Sequence, residues 1–342
     1  MLEKQESLAI YMEGELTGMA GKMGYGILRY SPNPVSCIID STHEGQNLQS
    51  LIPFSPRNCP IVRNVKEARQ LGAKVFVLGI APPGGLIPPA WNSAISEAWE
   101  LGLSIINGLH EVLADRLPSK PNQWVWDIRQ EPAGLSPATG AARELNNTRL
   151  LMVGTDMAVG KMTAGLEIWQ SARQKGIRAE FIATGQIGIT LTGRGVPLDA
   201  VRVDFAGGAI EREVMACAAS DLVIVEGQGA LIHPGSTANL PLLRGSMATH
   251  LVLCHKANQT HLAKVPWVQI PPLGEYCRLY EELGSACGVF PRPKMVGVSL
   301  NTAQLSESEA KATCGELENE LGLPVVDVIR DGGSRLVEAL GI

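Results

Sequence analysis

The sequence predicts an α/β protein of two domains, each with a parallel β-sheet covered by helices. A chain of 342 residues is long for one core, so two domains are expected. In both halves, short apolar runs alternate with helical patterns, which is typical of parallel sheets. Between 130 and 147 the periodicity stops, and Pro, Gly, Ala and Asn accumulate. We therefore predict a first domain over 1–130, a linker over 131–147 and a second domain over 148–342.

In the first half, four apolar runs predict strands and two longer patterns predict helices. The predicted strands are SLAIYM (7–12), VSCIID (35–40), KVFVLGI (74–80) and SIINGL (104–109). The predicted helices are NVKEARQLG (64–72) and PPAWNSAISEAWELG (88–102).

The second half repeats this alternation and begins with the strand RLLMVGTD (149–156), followed by a helix from about Lys161 to Gln174. Further strands are predicted at AEFIATG (179–185), DLVIVEG (221–227), HLVLCH (250–255) and KMVGVSL (294–300). Helices are predicted at 207–220 and 306–322, and the unit PVVDVIRDGGSRLVEALG (324–341) adds a last strand and helix.

Composition favours small-molecule chemistry. The net charge is −5 and no run of Lys or Arg is dense, which argues against nucleic acid and against a membrane surface as partners. The start MLEKQESLAIYMEGE lacks the apolar core of a signal peptide, and no apolar run approaches the ~20 residues of a spanning helix. A cytoplasmic location is expected. The seven cysteines form no C-x-x-C pair, and we interpret them as reduced packing residues.

The stretch VGTDMAVGKMT (153–163) resembles a phosphate-binding P-loop, whose pattern is G-x-x-x-x-G-K-[ST]. Gly160 and Lys161 are in place, but Thr155 replaces the first glycine and Met162 replaces the magnesium-binding hydroxyl. Thr163 carries a hydroxyl one residue later, which is about 100° further around a helix. A strand that turns through glycine into a helix points backbone N–H groups at one spot, so we predict phosphate binding here.

Two residues at predicted strand ends are candidates for catalysis. Glu226 follows DLVIV, where a P-loop enzyme places the carboxylate that holds magnesium; the alternative is a strand-end cap. His255 closes HLVLCH and suits a general base, although a structural histidine is an equal alternative. Cys254 lies inside an apolar strand and is interpreted as packing.

Candidate substrate-binding residues lie in loops after predicted strands, where open parallel sheets collect ligands. They are His43 in IDSTHEG, Gly84 and Gly85 in GIAPPGG, and Thr184, Gln186 and Arg194 in ATGQIGITLTGRG. For His43 the alternative is a surface residue, and for Arg194 it is a flexible loop. The first half lacks the G-x-G-x-x-G fingerprint, so a dinucleotide site is not favoured there, although Asp40 ends a strand.

Two resemblances bear on function. GTDMAVGK, VEGQG and VGVSLN resemble motifs of dethiobiotin synthetase and related P-loop ATPases, which implies adenine contact by Asn301 and magnesium near Asp156, Thr163 and Glu226. Over nearly the whole chain, GYGILRYSPNPVSCIIDSTHEGQ, VLGIAPPGG, GLSIINGLHEVLAD, GTDMAVGKMT, ATGQIGI and VLCH resemble a bacterial family long labelled a domain of unknown function. That family combines a Rossmann-like N-terminal half with a P-loop C-terminal half, and G-K-M-T is its usual loop.

Some members of that family are D-glutamate N-acetyltransferases, so the resemblance implies acetyl transfer from acetyl-CoA to an amino acid. Gly154, Thr155, Asp156, Gly160 and the three residues 161–163 would then hold the cosubstrate phosphates, with Asn301 at the adenine and Glu226 or His255 as base. The alternative is an ATP- and Mg²⁺-dependent ligase or kinase-like enzyme, in which Thr163 and Glu226 are metal ligands. A regulatory nucleotide-binding protein is a third possibility. A symmetric homo-oligomer is expected of an enzyme of this type.

Overall fold

The protein contains two six-stranded parallel sheets in the computed structural model, which describes residues 2–3, 5–18 and 20–342. The chain forms two compact units. One comprises the described residues up to Gln130 together with Ile189–Ala200, and the other comprises Glu131–Gly188 and Val201–Ile342. The predicted fold class is confirmed; the domain boundaries and the linker stay predictions.

The first sheet has the strand order β3-β2-β1-β4-β5-β6, which is the doubly wound order of Rossmann folds. Its strands are β1 (Leu8–Tyr11), β2 (Val35–Ile39), β3 (Ile61–Val62), β4 (Val75–Leu78), β5 (Ser104–Asn107) and β6 (Val125–Asp127). The helices of this half are α1 (Lys22–Tyr30), α2 (Leu48–Leu51), α3 (Val65–Gln70) and α4 (Asn92–Glu100). Strands β1, β4 and β5 are buried at every residue, because helices cover parallel sheets on both faces. The edge strands β3 and β6 have only two and three residues, too few for a sequence pattern to predict.

The second sheet has the order β12-β11-β10-β7-β9-β8, so β7 lies between β10 and β9 at its centre. Its strands are β7 (Thr148–Gly154), β8 (Ala179–Ile182), β9 (Leu222–Val225), β10 (His250–Lys256), β11 (Lys294–Asn301) and β12 (Val325–Val326). Its helices are α5 (Lys161–Gln174), α6 (Gln186–Thr192), α7 (Val203–Ala216), α8 (Asn239–Ser246), α9 (Leu273–Ser285), α10 (Glu307–Leu321), α11 (Val328–Asp331) and α12 (Ser334–Glu338).

The predicted linker is held against helix α7 by one carboxylate. Glu211 accepts hydrogen bonds from the backbone N–H groups of Thr139, Gly140 and Ala141, at 2.9, 2.5 and 2.9 Å. Burial raises the pKa of Glu211, but these bonds outweigh it, so the pKa lies below its usual value. Glu211, to which no role was assigned from the sequence, therefore anchors the predicted linker.

Two sequence interpretations need correction. The glycine-rich ATGQIGITLTGRG, read as a loop, contains helix α6. The packing interpretation of the cysteines fits the five that are buried, but Cys287 is exposed. None of the helices in the described part of the chain combines the length and apolarity that crossing a bilayer requires.

Candidate functional site

The P-loop connects β7 to α5 by a backbone path that depends on small residues. Gly160 has φ of 111° and Ala158 has φ of 57°, both in the left-handed region. A Cβ at Gly154 would lie 2.9 Å from Nζ of Lys161, so the missing side chain leaves room for the lysine. No described side chain caps the N-terminus of α5, and its first turn carries no acid. Its N–H groups are therefore available to an anion.

Lys161 lies across this loop and is only 7% exposed. Its ammonium donates a hydrogen bond to the carbonyl oxygen of Asp156 at 2.8 Å. Burial lowers the pKa of Lys161, and the nearby Cys254, Asp156 and Glu226 counteract that shift. The lysine and the two predicted carboxylates thus lie within electrostatic range of one another.

Asp156 uses its carboxylate to fix the loop that follows β10. Oδ2 accepts hydrogen bonds from Gln259 Nε2 at 2.6 Å and from the N–H of Ala263 at 2.8 Å, and Oδ1 accepts one from the N–H of Met157 at 2.6 Å. Since three protein donors already bind it, Asp156 has an evident structural task. Its contact with a cosubstrate stays a prediction.

Thr155 and His255 form a buried pair beside the loop. Thr155 Oγ1 and His255 Nδ1 are 2.9 Å apart, and the N–H of Thr155 donates to the carbonyl of Cys254. Burial lowers the pKa of His255 to about 4, so the ring is neutral at pH 7. Burial raises the pKa of the Cys254 thiol to about 12, which favours packing over nucleophilic attack.

Glu226 follows β9 and faces the start of α6. Its Oε2 accepts hydrogen bonds from the N–H groups of Thr184 at 2.9 Å and of Gly185 at 3.3 Å, and a Cβ at Gly188 would lie 2.7 Å from the same oxygen. A carboxylate at this position also complements the positive end of the helix. Glu226 and the predicted substrate residue Thr184 are therefore in direct contact, and Gln186 begins the helix two residues later.

Further contacts of the loop come from residues that the sequence did not single out. The hydroxyls of Tyr276 and Tyr280 donate to the carbonyl oxygen of Gly154 at 3.3 and 3.2 Å. A Cβ at Gly227 would overlap the carbonyl oxygen of Met152, so β7 and the turn after β9 touch backbone to backbone. Two buried tyrosines and a glycine thus hold the end of β7 in place.

The remaining predicted cosubstrate residues lie around this centre. Met162 and Thr163 are half-buried in the first turn of α5. Asn301 ends β11, which pairs with β10 on the side away from β7, and its Oδ1 accepts a hydrogen bond from the N–H of Ala303 at 3.1 Å.

In the first unit, His43 follows β2 and the two predicted glycines follow β4, with β1 between these two strands. His43 Nδ1 lies 3.0 Å from Oδ2 of the buried Asp40, in a short helical turn after β2. Burial raises the pKa of Asp40, but hydrogen bonds from Thr42, His43 and Gly14 outweigh it and lower the pKa. Asp40 therefore has its charge satisfied by its neighbours.

Gly84 and Gly85 follow β4 and both have left-handed φ values, 81° and 66°. Gly85 lies against the ring of His110 and the guanidinium of Arg129, two residues that the sequence did not mark. Arg194 belongs to the segment Ile189–Ala200 of the same unit, where its carbonyl accepts a hydrogen bond from Thr192 Oγ1 at 2.8 Å.

Comparison with known proteins covers both halves of the chain. A family model described as a domain of unknown function, DUF1611_C P-loop domain, matches residues 136–337, and one described as the DUF1611_N Rossmann-like domain matches 41–131. Two proteins named D-glutamate N-acetyltransferase, from Pseudoalteromonas sp and Tritonibacter scottomollicae, are each 37% identical, over 81% of this chain and 84% of each relative.

A crystal structure of a DUF1611 family protein from Anabaena variabilis is also similar. Its TM-score is 0.95 and its sequence identity is 46%, with 98% of this chain and 99% of that chain covered. The resemblance predicted from the motifs is confirmed, and the chain belongs to the DUF1611 family, which joins a Rossmann-like domain to a P-loop domain.

Proposed function

We propose that the protein is an N-acetyltransferase that moves the acetyl group of acetyl-CoA to the amino group of an acidic amino acid such as D-glutamate. The observation that carries this proposal is the 37% identity, over 81% of the chain, to two proteins that bear the name of that activity. The contacts of the P-loop support the same proposal, because they suit a cosubstrate whose phosphates are bound and not cleaved.

The P-loop is proposed to hold the phosphates of coenzyme A without cleaving them. The uncapped N-terminus of α5 and the ammonium of Lys161 suit any phosphate, whereas phosphoryl transfer also needs magnesium. Met162 stands where the magnesium-binding hydroxyl belongs, and the carboxylate of Asp156 is bound by three protein donors. These features favour a cosubstrate whose phosphates only anchor it.

The reaction forms an amide and releases a thiol. The neutral amine of the acceptor attacks the thioester carbon, the C–N bond forms, and the C–S bond breaks with release of coenzyme A thiolate. The amine gives up a proton to a base, and the thiolate takes one up. Glu226 and His255 remain the proposed bases, and both lie at strand ends beside the P-loop.

The contacts give the two proposed bases different properties. His255 has a pKa of about 4 because of burial, so it is neutral but a weak proton acceptor. Glu226 is a carboxylate whose Oε2 is held by two N–H groups, which fixes its orientation at the start of α6. We place Glu226 first because an oriented carboxylate can also attract the acceptor's ammonium group before the proton is lost.

The proposed acceptor contacts are those predicted from the sequence. Thr184 is hydrogen-bonded to Glu226 and Gln186 begins helix α6. His43, Gly84, Gly85 and Arg194 belong to the first unit and are proposed as contacts within that unit. Hydroxyl, amide and guanidinium donors are the groups that recognise the carboxylates of an amino acid.

The proposal is tested with purified protein, acetyl-CoA and D-glutamate. We expect release of free coenzyme A thiol that requires both substrates and does not require magnesium, together with an amino acid heavier by one acetyl group in the mass spectrum. Rapid hydrolysis of ATP with magnesium and no thiol release would favour the ligase or kinase-like alternative instead. Absence of turnover with either cosubstrate would leave a binding protein.

A further inference from the structure

Three loops of the first unit meet at the carboxyl ends of β4, β5 and β6. Gly84 and Gly85 follow β4, His110 follows β5, and Arg129 follows β6. The N–H of His110 donates to the carbonyl of Gly85 at 2.8 Å, which joins the first two loops. This edge of an open parallel sheet is where ligands commonly bind.

The loops are fixed by two carboxylates. Glu111 Oε1 accepts a hydrogen bond from the N–H of Ile87 at 2.5 Å, and Asp127 accepts from the N–H groups of Leu113 and Ala114 at 3.0 and 2.9 Å. Asn107 donates to Asp127 at 2.7 Å. The side chains between these anchors are therefore presented by a braced framework, as a binding site needs.

Arg129 is nearly buried there, with only 11% of its side chain exposed, and it is incompletely paired. Its Nη2 lies 3.2 Å from Oδ2 of Asp199. Among the described residues, its Nε is the one buried side-chain nitrogen or oxygen that has no hydrogen-bond partner. A charged donor that is buried and unpaired destabilises the folded protein, so such a group calls for a missing partner.

Because Gly85 has no side chain, the His110 ring and the Arg129 guanidinium pack directly against its backbone. A Cβ at Gly85 would lie 3.0 Å from Nη1 of Arg129 and would overlap the His110 ring. The φ of 66° at Gly85 also disfavours any other residue. The backbone of Gly85, the imidazole and the guanidinium are thus brought together at one place.

We propose that Arg129 and His110, over the backbone of Gly84 and Gly85, form a carboxylate-binding site in the first unit. The planar guanidinium matches a carboxylate, and an incoming oxygen gives Nε the acceptor it lacks. Asp199 already neutralises part of the arginine's charge, so a singly charged carboxylate is favoured over a doubly charged phosphate. That the carboxylate is one of an acidic amino acid rests on the proposed function; the site itself does not.

The test measures binding rather than turnover, by calorimetric titration of the full chain with D-glutamate, glutarate and inorganic phosphate in the presence of saturating coenzyme A. The wild-type protein should bind both carboxylate probes more tightly than phosphate. Arg129→Lys keeps a charge beside Asp199 but removes the planar fork, and it should weaken both carboxylates by about 10- to 100-fold. Arg129→Gln should weaken them at least as much.

Arg292→Lys is the matched control, since Arg292 is an exposed arginine paired with Glu281 and Glu282, and it should bind like wild type. Wild-type affinity in Arg129→Lys, tighter binding of phosphate, or no binding of either carboxylate by the wild-type protein would each overturn the site. A protein that binds glutarate through Arg129 but never acetylates D-glutamate would refute the proposed function and leave this site standing.

Discussion

The P-loop and the arginine site both lie at the carboxyl ends of doubly wound sheets, yet they are built in opposite ways. The P-loop is one contiguous stretch, Gly154–Thr163, in which Lys161 and Asp156 are hydrogen-bonded within the protein. The arginine site collects Gly85, His110 and Arg129 from separate loops and leaves one buried donor unpaired. A phosphate site made of backbone is thus contained in one sequence motif, whereas a site made of side chains depends on how several loops are positioned.

The largest effect on turnover is expected from substitution of Glu226, beside the P-loop. Glu226→Gln keeps the size of the side chain but removes the proton acceptor, so kcat should fall by about 10²–10⁴ while coenzyme A affinity changes little. Steady-state kinetics and equilibrium binding across magnesium concentrations check this. Glu180→Gln, in the neighbouring strand β8, is the control. A loss of affinity that magnesium restores would mean that Glu226 holds a metal instead.

The next effect concerns acid stability. Burial lowers the pKa of His255 in the folded protein to about 4, from its ordinary 6.5. Between these pH values the unfolded chain therefore binds a proton at this residue that the folded protein does not bind. Stability from this residue is present above pH 6.5 and is lost as the pH falls toward 4, by roughly 3 kcal/mol. The free energy of unfolding, measured with denaturant, should therefore fall less between pH 7 and pH 4 in His255→Asn than in the wild-type protein, by roughly 3 kcal/mol.

His261→Asn provides the comparison, because His261 is exposed and its Nδ1 lies 3.0 Å from the hydroxyl of its neighbour Thr260. It should keep the pH dependence of the wild-type protein. An unchanged pH dependence in His255→Asn would contradict the low pKa.

Lys161→Ala tests whether the two sites are independent. It should weaken coenzyme A binding by about 10- to 100-fold, since one charge-assisted contact is lost, and should leave glutarate binding at Arg129 unchanged. Lys175→Ala, at the other end of the same helix, removes an exposed lysine and should change neither affinity. If glutarate binding also falls in Lys161→Ala, the two sites are not separate.

The smallest effect is expected from alanine substitutions at Gly84 and Gly85, which distinguish backbone strain from steric contact with neighbouring side chains. Gly84 and Gly85 both have left-handed φ values, but among the described residues only Gly85 has atoms within 4 Å of the position of a Cβ. Gly84→Ala should therefore cost about 1 kcal/mol of stability and leave glutarate affinity intact. Gly85→Ala should cost more and weaken glutarate roughly tenfold, as His110 and Arg129 are displaced. Equal glutarate affinities in the two variants would remove Gly85 from the site.

The sequence predicted the features that depend on residues close together along the chain. The longer strands, several of the helices and the P-loop follow from periodicity and from one contiguous pattern, so they were found. Helices α1, α2, α8 and α9 were not predicted. The tyrosine hydroxyls that bind the Gly154 carbonyl come from residues 122 and 126 positions away, and no pattern connects them. Arg129 was missed because β6, which precedes it, has only three residues and does not read as a strand. The glycines of 183–195 suggested a loop, but the Glu226 carboxylate stabilises the start of α6.

The segment Ile189–Ala200 has a consequence for any attempt to dissect the gene. The chain passes from one unit to the other at residues 130, 188 and 200, so the first unit is encoded in two pieces. A fragment that stops at Gln130 would include Arg129 but not Asp199, its ion-pair partner. A single cut after Gln130 would therefore leave the first product without residues 189–200, and the second product would carry that segment instead.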